Sequence, residues 1–404
     1  MRYNLGFNFL KPAHEVYTRK FSISEWRYLI QDKIAPPFAN QAILEGNGIL
    51  DKKRWQFAVE EASAANPGSR LILKGLHGFR YWIDSKIPPR VREVDGSKWS
   101  GFDENNAPFL LEPLSPSNGT TCEVVLIHGN PLRVAFRTSH AVMDAKGTMT
   151  WMEDIFRVLR GEPAIGSNSQ LNDYELMKSF QNKRGEPVLA ENVAPTGKAI
   201  GTEKGFSWRR KRIQMDHSKL FPKVALLIAK SAFRNSDNNK VGLTVNIDLR
   251  FRQKGLRSTA SLASGLLIEI TPETKQNQIT AKIGHQLYER RDGMAMREDL
   301  WNRFIPIWLA SYIVKKITAN QHKKGKYFVT GSITDIALPI DQYTGGGFHS
   351  KTGFFFFPGL DNIPVSVVIN SIGNEVEMAV TMPKVFANEG RLDSFIEFIS
   401  SELS

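Results

Sequence analysis

His140 and Asp144 lie four residues apart in Arg137-Thr138-Ser139-His140-Ala141-Val142-Met143-Asp144-Ala145-Lys146-Gly147. A neutral imidazole, with an unperturbed pKa of ~6.5, takes a proton from an amine or an alcohol near neutral pH. Such a base works only when it is held within hydrogen-bond reach of that proton. The flanking residues predict the holding. Leu132 to Thr138 reads as a strand, and Met149, Met152, Ile155, Phe156 and Leu159 follow at helical spacing. His140 is therefore placed just past a rigid strand, in a loop whose exit a helix fixes. Asp144 can orient that loop or pair with a distant arginine. The spacing by itself favours a plainer reading, a strand-end histidine beside an ordinary loop aspartate.

The elements around this loop follow from pattern. Residues 1–40 read as irregular and aromatic-rich, with Pro36-Pro37 opposing a helix there. Phe38 to Leu44 predicts a strand. Asp51 then caps a helix that carries Trp55, Ala58, Val59 and Ala62 on one face and stops at Asn66-Pro67. Leu71 to Trp82 supplies further strand, and Cys122–His128 and Leu132–Thr138 form a hairpin about Gly129-Asn130. His128, beside that turn, has a surface role. Residues 162–205 show little periodicity and read as a linker or a surface excursion. The second half begins near Phe206 with a basic strand. A helix from Lys219 to Phe233 follows, with Pro222 in its first turn, and then a strand from Val241 to Leu249. Strand 265–270 precedes a helix from Thr271-Pro272, on which His285 faces solvent. Residues 294–318 form one or two helices, whose basic amphipathic character suits either core packing or a membrane surface, the former preferred. Asp341 to Gly353, with Gly345-Gly346-Gly347, reads as a mobile loop. Val365–Asn370 and Val376–Met382 make a hairpin about Gly373-Asn374, and a last helix runs from Arg391 to Leu403.

Taken in order, these pieces resemble the chloramphenicol acetyltransferase-like, BAHD and nonribosomal-peptide condensation acyltransferase superfamily. The matching residues are Gly48-Ile49-Leu50-Asp51 with its helix, the His140–Asp144 loop, Asp248-Leu249-Arg250, the strand Tyr327–Ile336 and the closing hairpin and helix. The resemblance implies an α/β (α+β) fold of two lobes, each a mixed, largely antiparallel sheet with flanking helices, set in a V with a tunnel between them. The expected division is an N-terminal lobe over 1–165, a linker over 166–205 and a C-terminal lobe over 206–404. It also implies that His140 is catalytic and that Asp144 is structural, locked by a salt bridge from Arg250, with Gly147 shaping the turn. Ser139, Thr330, Ser332 and Thr334 are the implied tunnel candidates, the last three sharing one strand face. Two departures stand out. Ser139 replaces the first of two adjacent histidines common in the condensation branch, and Ala145 replaces the glycine after the aspartate. The Asp-Phe-Gly-Trp-Gly segment of plant acyl-coenzyme A acyltransferases is absent, and Gly345-Gly346-Gly347-Phe348-His349 stands in its place.

Composition narrows the chemistry. In 404 residues the hydrophobic share is 41% and the charged share 23%, ordinary for a globular enzyme. The lone cysteine, Cys122, excludes an internal disulfide or a cysteine-built metal site and reads as a buried, inert thiol. The start MRYNLGFNFLKP lacks a secretion signal's apolar core, and the apolar segment 304–314 is broken by Pro306 and short of the ~20 residues a membrane span needs. A cytoplasmic location is expected. Net charge is +12, of which residues 181–240, with 13 Lys/Arg against 5 Asp/Glu, contribute +8. Such a patch attracts an acidic partner. No zinc finger, RNP-like string or basic heptad region supports nucleic acid.

The expected activity is therefore a free-standing acyltransferase of condensation type, acting in natural-product assembly. No bound cofactor or metal is expected. The donor would be an acyl or peptidyl thioester, on an acyl or peptidyl carrier protein's phosphopantetheine or on coenzyme A; the acceptor would be a small amine. Ester formation on an alcohol and a non-catalytic condensation-like binding module are the alternatives. Oxyanion stabilisation would come from backbone N–H near Gly147 or from a tunnel hydroxyl.

Overall fold

The computed structural model describes residues 16–117, 119–185, 191–213, 217–295, 299–372 and 375–403. The stretch expected to be irregular contains a helix. Ser22 Oγ accepts from Glu25 N (3.3 Å) and Glu25 Oε2 accepts from Ser22 N (2.8 Å), so two otherwise unpaired donors satisfy each other. That capping box launches α1 (Ile23–Ile34), which ends before Pro36 as expected. It follows β1 (Thr18–Lys20). Then come β2 (Ala39–Gly48) and α2 (Lys52–Ala65), with Asp51 accepting from Lys53 N and Arg54 N. Next are β3 (Leu71–Lys74), β4 (Tyr81–Asp84), β5 (Arg90–Asp95), β6 (Cys122–His128) and β7 (Leu132–Ser139). The His140–Asp144 loop leads into α3 (Ala145–Leu159).

The stretch expected to be a linker holds α4 (Asp173–Phe180), capped by Asn172 and tied to β1 by Asn172 Nδ2 donating to Lys20 O (3.0 Å). After it run β8 (Phe206–Ile213), α5 (His217–Arg234), β9 (Val241–Asp248), β10 (Ala263–Ile270) and α6 (Gln276–Tyr288). Helix α5 starts earlier than expected and carries Pro222 in its interior, and α6 starts later, beyond Pro272. The short α7 (Asp299–Asn302) and α8 (Ile307–Lys324) precede β11 (Gly331–Ala337), β12 (Thr344–Gly345) and β13 (Phe348–Phe356). The chain closes with β14 (Ser366–Ile372), β15 (Glu375–Pro383), α9 (Lys384–Ala387) and α10 (Arg391–Leu403). The turn assigned to Gly373-Asn374 lies outside the described residues.

Two six-stranded sheets organise the molecule. The first is ordered β12-β13-β2-β7-β6-β5 and the second β10-β9-β11-β14-β15-β8; a small third sheet joins β1, β4 and β3. Pairing is antiparallel except for β5 with β6 and for β11 with both neighbours. Beneath the first sheet α2 and α3 bury Trp55, Trp151 and Phe156 against Phe136. Helices α5 and α10 cover the second through Leu220, Val224, Ile228, Phe395 and Ile399. Burial of each such side chain contributes roughly 1.5–3 kcal/mol.

The segment expected to be a mobile loop is instead ordered sheet. Although it comes from the 206–404 region, β13 pairs with β2 from Phe348 opposite Gly48 to Phe356 opposite Gln41, and so belongs to the first sheet. Glycine makes this possible. A Cβ on Gly46 would collide with the His349 carbonyl. Asn370 of β14 clamps the returning strand, accepting from Phe355 N at 2.8 Å. A buried ion network spans the same seam: Arg210 of β8 reaches Glu45 of β2 (2.9 Å) and Glu377 of β15, and Arg133 of β7 reaches Glu45 (2.7 Å). Helix α8 also leaves the second sheet, packing Ala310 on the first core beside α1.

Candidate active site

Strand β7 ends at Ser139, whose N–H still pairs with Thr121 O (2.8 Å), and the chain then turns sharply. Val142 N and Met143 N both donate back to Ser139 O (2.9 and 3.1 Å), and His140 N donates to Phe38 O (3.1 Å). Two side chains from other elements hold the turn's carbonyls. Asn40 Nδ2 donates to Met143 O (2.6 Å), and the buried Arg19, paired with Glu25 at 2.8 Å, donates to Val142 O (3.2 Å). His140 is thus positioned by backbone bonds on both sides.

Asp144 caps α3 through Gly147 N, which donates to its Oδ1 at 2.6 Å. The same carboxylate accepts from Leu262 N (2.7 Å) and receives the Arg250 guanidinium in a fork, at 3.0 Å on each oxygen. Arg250 spends its other donors on Ser258 O (3.0 Å), Ala260 O (2.6 Å) and Asp248 Oδ1 (2.6 Å). Every donor on this buried arginine has a partner, which a buried charge demands. Gly147 is needed for closeness: a Cβ there would run into Thr259 O and lie 3.1 Å from Ala260 O. Ala145 is the first residue of α3 and is not at positive φ, so a glycine's freedom is not required at that position. The N–H of Gly147, one expected oxyanion donor, is committed to Asp144 and cannot serve.

The imidazole is half-buried between rings. Tyr28 of α1 lies 4.2 Å away, Phe38 stacks at 5.4 Å, and Phe357 approaches edge-on at 6.2 Å. The Tyr28 hydroxyl reaches Ser261, and burial raises its pKa. Burial pushes the His140 pKa below the ordinary value; its own backbone carbonyl and the Asp144 carboxylate oppose that shift. Nδ1 has no well-aligned hydrogen-bond partner among the described residues. None of the three rings was singled out from sequence. Tyr28 lies on a helix that was not expected, Phe357 comes more than 300 residues later than the other two, and only Phe38 belongs to an expected strand.

The remaining candidates separate. Ser139 is buried at the strand end, one residue before the imidazole. Ser332 and Thr334 share a face of β11, and both hydroxyls accept from Asn246 Nδ2 of β9, at 3.0 and 2.7 Å. Thr330 lies before the strand, buried, its Oγ1 without a partner among the described residues. A cavity of about 710 Å³ lies between α3 and the second sheet's end, lined by Lys146, Arg250, Arg257, Tyr343 and Ser371 among others; His140 is not in its wall. Cys122 is buried with its pKa pushed up, and His128 sits at the surface 3.3 Å from Glu93. Much of the basic excess around 181–240 is internally paired: Arg209 with Asp393 (2.8 Å), Arg210 as above, and Lys230 with Glu402 (2.7 Å).

No family model and no curated protein matches the sequence. Solved structures do. The condensation domain from Monacolin K polyketide synthase MokA matches at a TM-score of 0.62 and 10% identity, over 96% of this chain and 97% of that one. A variant of the starter condensation domain of rhizomide synthetase RzmA, in complex with C8-CoA, matches at 0.64 and 11%, over 96% and 95%. The first condensation domain of the calcium-dependent antibiotic synthetase, with a substrate analogue, matches at 0.63 and 12%, over 96% and 95%. The chain has the two-lobed condensation-domain fold.

Proposed function

We propose that this protein is a condensation-type acyltransferase in which His140 is the base. The observation that carries the proposal is the half-buried imidazole on a turn braced by Asn40, Arg19 and the Asp144–Arg250 fork. We assign the proton of the neutral ring to the buried Nδ1, so that Nε2 keeps a lone pair for the acceptor. An amine or alcohol is deprotonated at Nε2 as its nitrogen or oxygen attacks the thioester carbonyl carbon. The new C–N or C–O bond forms, the C–S bond breaks, and the proton passes from Nε2 to the leaving thiolate. Base catalysis of this kind supplies about 10²–10⁴-fold, and juxtaposing two bound substrates supplies much of the rest.

With the Gly147 N–H engaged, the Ser332 and Thr334 hydroxyls become the proposed oxyanion donors. Each accepts from Asn246 and so keeps its own hydrogen free to donate. The donor is a thioester on coenzyme A or on carrier-bound phosphopantetheine, and C8-CoA in the rhizomide synthetase neighbour supports that class. We assign amine acceptors and natural-product assembly on the same footing. The test is intact-mass detection of product from octanoyl-coenzyme A and from octanoyl-loaded carrier, each with amine and alcohol acceptors. Amide product supports the reading, ester product alone moves it to O-acyl transfer, and no transfer from a wide thioester panel leaves a binding module.

A further inference from the structure

We infer that α7, α8 and the loop before β4 form a docking face for an anionic lipid surface. Sequence pattern alone favoured packing this basic helix on the core, yet the structure leaves its large apolar side chains in solvent. Leu76, Phe79, Trp301 and Trp308 are 75, 80, 75 and 67% exposed, and Tyr312 is 58% exposed. Only a narrow stripe of α8, including Ala310, Ser311, Thr318 and Gln321, is buried. The exposed groups are contiguous. Phe79 and Phe304 meet edge-to-face at 5.9 Å, Phe304 N closes a turn on Trp301 O (3.0 Å), and Trp308 and Tyr312 continue one helix face. Single exposed apolar residues are normal in soluble proteins, but a joined group of this size marks an interaction site.

Charge selects the occupant. From the start of α7 to the end of α8, residues 299–324, there are five Lys/Arg and one Asp/Glu. Lys315, Lys316, Lys323 and Lys324 are exposed on the same helix, with Lys316 Nζ 5.5 Å from the Tyr312 ring. Trp and Tyr beside lysines are the composition that settles at the boundary of headgroups and acyl chains, aromatic bodies inserted and ammonium groups on anionic lipid. Phe79, Trp301 and Trp308 are each about two-thirds or more exposed, an arrangement that suits insertion of the rings into lipid. Among the described residues no helix is long and apolar enough to cross a membrane, so the attachment is peripheral.

This inference is independent of the chemistry at His140. The whole chain is sedimented with vesicles of phosphatidylcholine alone and of phosphatidylcholine with phosphatidylserine. The expected result is binding to the anionic vesicles only, weakened at least ~10-fold both in Phe79→Ser/Trp308→Ser and in Lys315→Glu/Lys316→Glu, and unchanged in His140→Ala. Because the replaced side chains are exposed, the variants should keep wild-type melting temperatures. Three outcomes overturn it: no vesicle binding, binding that salt abolishes and the aromatic variant does not weaken, or a dimer in solution that the aromatic variant makes monomeric, which would show a second copy covering the face.

Discussion

The Arg250 guanidinium grips the Asp144 carboxylate with one nitrogen on each oxygen, both at 3.0 Å, across 106 residues of chain. The fork joins the loop after β9 to the first turn of α3, so the two halves meet just behind the imidazole. Removing either partner strands a buried charge, at a cost of ~3–5 kcal/mol. Urea unfolding of Asp144→Ala and of Arg250→Ala should show that loss. The double variant should lose less than the sum of the two. Strict additivity would mean the pair does not act as a unit.

Gly147 and Ala145 should differ in what their substitution does to activity. Gly147→Ala forces a Cβ against Thr259 O and should destabilise by ~1–3 kcal/mol while lowering activity, because α3 must retreat from the 258–262 segment. Ala145→Gly restores the superfamily's usual residue, but in a first helical turn it should cost up to ~1 kcal/mol and leave activity intact. A gain in stability would show that the turn is strained at Ala145.

The His140 pKa is held below its unfolded value, chiefly by burial. The active base is the neutral form, so kcat/KM should be flat through neutral pH and fall on an acid limb below ~6.5. The linkage has the same sign. Above ~6.5 both states are neutral and this group contributes nothing; between that value and the folded pKa the unfolded state alone takes the proton, and stability falls with pH. Tyr28→Ala, which admits water to the ring, should move the acid limb to higher pH. An unmoved limb would remove burial as the cause.

Much of this site was legible in sequence, and the illegible portions share a reason. His140 and Asp144 stood out because a strand and a helix flank their loop and the string resembles the superfamily's motif, and Arg250 because Asp248-Leu249-Arg250 resembles its second-half segment. Tyr28 lies on a helix whose start signal, Ser22 with Glu25 three residues on, stands in a stretch that otherwise reads as irregular up to Pro36-Pro37. The triple glycine at 345–347 suggested mobility, whereas Phe348, Ser350 and Thr352 are the alternating buried positions of a strand by which the chain crosses from its second half to the first sheet. That crossing depends on long-range pairing with β2, for which local pattern holds no information. The commitment of the Gly147 N–H to Asp144 likewise depends on side-chain geometry.

If Ser332 and Thr334 donate to the oxyanion, Ser332→Ala and Thr334→Val should each lower kcat by up to ~10²–10³-fold with little change in KM. Asn246→Ala should have a smaller effect, since it positions the hydroxyls without donating. A change confined to KM would place both residues in substrate binding alone.

The central claim is tested most directly by single-turnover acyl transfer in His140→Ala, followed by intact mass, with thermal unfolding of the same preparation alongside. A rate lower by about 10²–10⁴-fold at an almost unchanged melting temperature is the predicted result. Wild-type transfer without the imidazole would contradict it.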